Sequence, residues 1–322
     1  MAGIFSLNVI QSALELGCIY ALVALALYIS YSILNIADLS TDGCFILGCA
    51  VACQVTALGH PFLALPAAMC AGVASGFITA FLQTRLGITS IIAGIIVNTG
   101  LYSINLAVMG YSSSVSLLKA DTLFSLAQKL LQPVLGGWYK LAVVGLFIAV
   151  ACVLVVLFLN TRLGLSIRAT GDNAEMVRAS SINPAYTITV GLCISGSLTA
   201  LAGALLGQYQ KSADINVGTG VVTIALASLI IGETLLGRGG KAGIRWRVAG
   251  VVLGSCLYRF VMAAAMRFNI KASDMKLFSA VVVGIAVAMP AIKAKLAYEK
   301  RHRSAIQQAK QKRADAAGKA GA

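Results

Sequence analysis

Asn160-Thr-Arg-Leu-Gly-Leu-Ser-Ile-Arg-Ala-Thr-Gly-Asp-Asn-Ala-Glu-Met-Val-Arg-Ala-Ser-Ser-Ile-Asn-Pro-Ala-Tyr186 is the longest charged, apolar-poor interval between two strongly apolar runs. Leu141 to Leu159 precedes it as an almost unbroken hydrocarbon, and Thr187 to Gln208 follows it, apolar and rich in Gly, Ala and Ser. A polar insert between two membrane spans must sit at a water face, and the arginines Arg162, Arg168 and Arg178 predict that this face is cytoplasmic. Asp172 or Asn173 can cap a short helix from Ala174 to Ser181, with Glu175 in its first turn, and Pro184 suits the first turn of the next span. Two readings of the insert stay open on physics alone: a capped connecting loop, or a stiff element on which a soluble partner docks.

Working outward, the 322 residues are 59% hydrophobic and 11% charged, whereas soluble domains carry about 25% charged residues. Sparse charge between apolar runs long enough to cross lipid predicts an all-α, polytopic helical membrane protein. A bilayer barrel would instead show alternating strands of about ten residues. The net charge of +14 does not point to nucleic acid: nine of the 25 Lys and Arg lie beyond Pro290 and others flank spans, a pattern of topology and anionic-lipid contact. The first 84 residues hold no Lys or Arg, so a cleaved leader is not expected and the first apolar run stays as a span. The eight cysteines all fall in apolar stretches and His60 and His302 lie apart, so small buried hydrophobes are expected, with no disulfide framework, no metal site and no cofactor.

Apolar runs predict about nine spans (eight to ten) within residues 1–292: 8–30, 44–58, 62–84, 89–109, 139–159, 185–208, 217–236, 248–268 and 277–292. Residues 293–322 form a basic tail, expected in the cytoplasm with the insert, Arg85 and the basic loop 237–247, which leaves the N-terminus outside. The second element reads as a broken helix: polar Asn35 to Gly43 carries no positive charge, and the run that follows is short for about 30 Å of hydrocarbon. Leucines and neighbours recurring from Leu117 to Leu131 predict an amphipathic helix on the outer surface.

Charges at membrane depth are costly, so each is a candidate. Glu15 reads as a pathway carboxylate or as the partner of an interior donor. Asp38 and Asp42 line a cavity or cap the following half-helix. Glu233 and Arg259 are expected to pair between two helices, because a pair costs less than two lone charges. Asn98, Asn105 and Gln208 more often bridge helices. Gly237 to Ala242 fails as a phosphate loop, since Ala follows the Lys, and no nucleophile elbow or dinucleotide fingerprint is present. An enzyme is disfavoured.

Four segments together resemble the permease subunits of ABC importers in the branched-chain amino acid and ribose permease superfamily, closest to the branch served by tryptophan- or tyrosine-type binding proteins. They are Gly17-Cys-Ile-Tyr-Ala-Leu-Val-Ala-Leu-Ala with Leu34-Asn-Ile-Ala-Asp-Leu-Ser-Thr-Asp-Gly43; Gly164-Leu-Ser-Ile-Arg-Ala-Thr-Gly-Asp-Asn173; Gln208 to Glu233 with Ala227-Ser-Leu-Ile-Ile-Gly-Glu; and Leu253-Gly-Ser-Cys-Leu-Tyr-Arg259 with Asp274-Met-Lys-Leu. The family often has Gly where Ser181 stands, and many members have Asn where Gly196 stands. The resemblance implies a pair of permeases, a homodimer of this chain, bound to two ATPase subunits and visited by an extracytoplasmic binding protein docking near 110–138 and 267–276. It implies ATPase coupling through Arg168, Gly171, Asp172, Asn173, Glu175 and Arg178. It also implies a pathway between the copies lined by Asp38, Ser40, Thr41, Asp42 and Asn98, carrying an amino acid, an aromatic one in that branch. The competing reading is a secondary transporter or channel with Glu15, Asp38 and Arg259 as an ion relay. Such carriers show paired broken helices, and only one break is legible here.

Overall fold

The computed structural model describes residues 7–118, 120–236, 243–267, 277–286, 288 and 292. The contacts divide the chain into two compact units, Met1–Met275 and Lys276–Ala322. In the first, α1 (Leu7–Leu27) runs on through a π-helical turn, Tyr28–Ile33, and stops where Asn35 takes a left-handed conformation at φ 58°. Asn tolerates that conformation because its short side chain can bond locally. The chain resumes as α2 (Thr41–Ala57), α3 (Ala64–Thr84) and α4 (Ser90–Val108). Strand β1 (Ser114–Ser116) and α5 (Leu123–Leu135) lead to α6 (Tyr139–Leu159). Two short helices follow, α7 (Arg162–Asp172) and α8 (Ala174–Ala179), then α9 (Pro184–Gln210), β2 (Ser212–Asp214), α10 (Val221–Leu236) and α11 (Ile244–Arg267). In the second unit a short apolar helix, α12 (Leu277–Ala286), is described; the expected basic tail and most of the loop 237–247 lie outside the described residues.

The chain is an all-α polytopic membrane protein. Six of these helices are long and apolar enough to cross a bilayer, and three shorter apolar ones are Thr41–Ala57, Val221–Leu236 and Leu277–Ala286. Two of the expected runs, the second and the seventh, are therefore short elements. At 1.5 Å per residue the 17-residue α2 and the 16-residue α10 reach only about 25 Å. The start expected for the seventh span was residue 217; the helix begins at Val221, because 212–220 are taken up by β2 and turns. A second break thus exists beside the one at 34–40. Hydropathy could not reveal it, since Ile215, Val217, Val221 and Val222 are apolar whether helical or not.

Helices α1, α2 and α9 form the centre, and residues Ile19 to Ile29 are almost wholly inaccessible. Small residues let the backbones meet. A Cβ on Gly72 of α3 would overlap the carbonyl of Gly196 on α9, and one on Gly196 would overlap that of Gly72. In lipid, close backbone approach of this kind replaces the hydrophobic drive that water supplies elsewhere. By contrast α6 turns Leu146, Val153, Leu154 and Leu157 outward, each about 60% exposed, as a face meeting acyl chains should. Of the cysteines, Cys44, Cys49 and Cys53 are buried, whereas Cys70 is exposed.

At one end of the bundle β1 pairs antiparallel with β2, Val115 opposite Ala213. They cover Cys49, Cys53, Met109 and Leu117. This two-stranded piece was not expected; three-residue strands are too short to show alternation. The amphipathic helix begins later than the leucine spacing suggested: Leu117 belongs to the loop after β1, and α5 starts at Leu123. Thr122 caps it, accepting from Ser125 N, while Gln208 Oε1 accepts from Leu123 N and Gln208 Nε2 donates to the Pro61 carbonyl.

Candidate functional site

The quoted insert folds as two helices rather than one. Thr161 caps α7 by accepting from Gly164 N at 3.2 Å. Asn173 leaves the helical region, ends α7, and caps α8 by accepting from Met176 N at 3.1 Å. The expected 174–181 helix stops at Ala179, because Ser181 takes φ 60°. Asn183 then caps α9, with Pro184 in its first turn.

This module is fixed to the bundle from its apolar side. Ile167, Thr170 and Val177 are buried. The Thr170 and Thr187 hydroxyls bond at 2.8 Å, joining α7 to α9. A Cβ on Gly171 would run into the Ile33 carbonyl, so α7 lies backbone to backbone against the end of the first span. The other side is free: Arg168, Asp172, Asn173, Glu175 and Arg178 are exposed, and Met176 is 69% exposed. Arg178 and Glu175 approach to 3.6 Å, an open pair one turn apart that adds little stability. Five polar residues and an apolar tip on a rigid, two-helix knuckle form a surface suited to a protein groove.

The residues expected to line a pathway are brought together at the α1–α2 break, but three of them are sealed. Asp38 is buried and its carboxylate accepts from Ser40 N at 2.9 Å and Ser40 Oγ at 2.6 Å. Thr41 Oγ1 donates to the Asp38 carbonyl, and Thr79 Oγ1 of α3 donates to Ser40 Oγ. An open lining by Asp38, Ser40 and Thr41 is therefore not what this conformation presents; burial left their polar atoms no partner but one another. Asp42 caps a half-helix, as one of its two readings had it, but that of α10 rather than the one that follows it in sequence. Its carboxylate accepts from Gly220 N at 3.0 Å and Val222 N at 2.8 Å, closing the N-terminus of α10. The two half-helices thus meet N-terminus to N-terminus, and a carboxylate offsets the positive end of the second. Asn98 stands against Gly43, half-exposed, and Asn105 donates to the Gly43 carbonyl at 3.0 Å.

The interior charges do not pair as expected. Glu233 accepts from Ser32 Oγ at 2.6 Å and faces, with Arg247, a cavity of about 340 Å³. Arg259 lies elsewhere on α11, its guanidinium 3.6 Å from the centre of the Tyr20 ring. The reason is helical length: Glu233 is at the last turn of α10, whereas Arg259 is fifteen residues into α11. Glu15 is nearly inaccessible and accepts from Gln11 Nε2 at 2.8 Å and Tyr209 OH at 2.8 Å, the interior-partner reading of that residue.

The fold is a helical membrane bundle with two half-helices and a polar two-helix knuckle at one end. The family described as branched-chain amino acid transport system, permease component, matches residues 9–290, and the chain belongs to it. The chain is 32% identical over 275 residues to a tyrosine transport system permease protein of Clostridioides difficile, covering 85% of this chain and 88% of that one. It is 26% identical over 291 residues to the ribose import permease of Haemophilus influenzae, covering 88% and 85%. An inner membrane ABC transporter permease of Escherichia coli is 30% identical over 206 residues, 62% of this chain and 59% of its own length. No solved structure matches.

Proposed function

We propose that the chain is the pathway-forming subunit of an ATP-driven importer for an amino acid, an aromatic one by analogy with the tyrosine permease relative. Two copies enclose the pathway in a bacterial cell membrane, two separate ATPase subunits bind the α7–α8 knuckle on the cytoplasmic face, and a secreted receptor delivers solute to the β1–β2 and α5 side. The tail lies in the cytoplasm. The chain has no enzymatic step of its own.

One observation carries this reading: Gly171 of α7 rests directly on the Ile33 carbonyl, at the start of the break that holds Asp38, Ser40, Thr41 and Asp42. A displacement imposed on α7 is delivered to that break. Since Asp42 also holds α10, movement of the break loosens both half-helices together. Sealed hydrogen bonds at 38–41 then exchange for contacts to solute, with Asn98 at their edge.

Purification with the partner ATPase tests the contact. Arg168→Glu combined with Asp172→Arg should abolish co-purification while the permease still extracts and unfolds as the parent does. ATPase retained at parental stoichiometry would refute the assignment. The paired breaks remove one argument against an ion-coupled carrier, but Glu15 and Asp38 bond to separate local groups and Arg259 stands on the Tyr20 ring, which argues against a relay through the three.

A further inference from the structure

The side chain least explained by the fold is Arg259. Among the described residues it has neither a carboxylate within ion-pair distance nor a hydrogen bond; its buried Nε has no partner. Its one contact of chemical interest is the face of Tyr20. It lines a groove of about 360 Å³ between α1 and α11, whose other walls are apolar apart from Ser12: Ala13, Leu16, Met262 and Met266 among them. A guanidinium at membrane depth with no counter-charge among the described residues is expensive, and an anion from outside the chain would complete the site.

The direction of the side chain says which anion. Gly17 of α1 and Cys256 of α11 are in backbone contact. Helical side chains lean toward their own N-terminus, so Arg259 leans back toward the level of Cys256 and Tyr20 leans toward the level of Gly17. The cation and the ring meet there, about ten residues or roughly 15 Å along α1 from Leu7. An arginine serving a lipid headgroup would extend the opposite way, to the interface. This one is held on an aromatic face at mid-depth, in an apolar groove with one convergent charge, which is the pattern of a small-ligand pocket.

We propose that Arg259, stacked on Tyr20, binds the carboxylate of the transported solute in the α1–α11 groove, with the thioethers of Met262 and Met266 accepting its apolar side chain. This rests on the amino-acid importer reading for the identity of the solute, but the site's preference for a carboxylate with an apolar tail stands by itself.

The experiment uses the full chain with its ATPase in phosphatidylcholine nanodiscs, and 3-phenylpropionate against 3-phenylpropanol as probes. The acid should bind saturably and at least tenfold more tightly than the alcohol, and Arg259→Gln should remove that difference. Arg259→Met should keep or raise the thermal midpoint, since it deletes a charge that no described carboxylate offsets. Equal binding of acid and alcohol, or an acid preference that survives in Arg259→Gln, would overturn the proposal. So would a thermal midpoint raised by phosphatidylglycerol only when Arg259 is present, which would make a lipid phosphate the occupant. A disulfide between copies through Met262→Cys would likewise overturn it, by filling the groove with a second chain. Uptake of L-tyrosine, L-phenylalanine and L-tryptophan in proteoliposomes is scored separately: absence of all three in the parent refutes the aromatic amino-acid reading while the probe result still decides the site.

Discussion

Ser181 and Gly196 show how much one backbone position decides. Ser181 sits at φ 60° between α8 and α9, a region that disfavours any side chain with a Cβ by about 1–2 kcal/mol. Ser181→Gly should therefore raise stability by about 1 kcal/mol, read as a higher denaturation midpoint in detergent. The resemblance had marked both positions as departures. The geometry explains their different weights. Gly at 181 would relax a turn, whereas Asn at 196 would collide with Gly72 and force α3 from α9. Gly196→Asn should lower the thermal midpoint sharply, and an unchanged midpoint would show that α3 gives way at Gly72. Sequence alone could name Glu15, Glu233 and Arg259 as costly charges, because composition suffices for that. It could not say which meets which, since pairing depends on how far along two antiparallel helices each one lies.

At the scale of elements, caps and closures are what hold the knuckle and the half-helices. Asn173→Ala removes the acceptor for Met176 N and should cost about 1 kcal/mol, observed as weaker ATPase association more than as loss of the bundle. Asp42→Ala leaves Gly220 N and Val222 N without their carboxylate and should cost about 2–3 kcal/mol. Asp42→Asn, which keeps one acceptor, should recover part of the loss in the same unfolding measurement. The helices α1, α3, α4, α6, α9 and α11 were legible as apolar runs within a few residues, and so was the break at 34–40, because charge and turn residues interrupt it. The break before α10 was not. Its residues are as apolar as a span, and its irregularity comes from pairing with β1, about a hundred residues away in sequence. The insert was legible as polar and capped, but its division into α7 and α8 depends on Asn173 facing both ways.

For the whole molecule, the account is mechanical. The centre is a tight block of α1, α2 and α9, the outer helices meet lipid, and the knuckle touches the block both at Thr187 of α9 and where its first span is broken. A rigid seat is required for that. Gly171→Ala, by pressing a methyl against the Ile33 carbonyl, should overpack the contact by about 1–3 kcal/mol and reduce solute-stimulated ATP hydrolysis even where the ATPase remains bound. Hydrolysis at parental rates in that variant would show that force takes another route.

The most direct measurement places a photo-crosslinking residue at Met176, the exposed tip of α8, in the complex reconstituted with ATPase and receptor. The account predicts an adduct with the ATPase subunit whose yield changes between the nucleotide-free and ATP-bound states. Full-rate ATP-driven uptake with no adduct at that position, in either state, would contradict it.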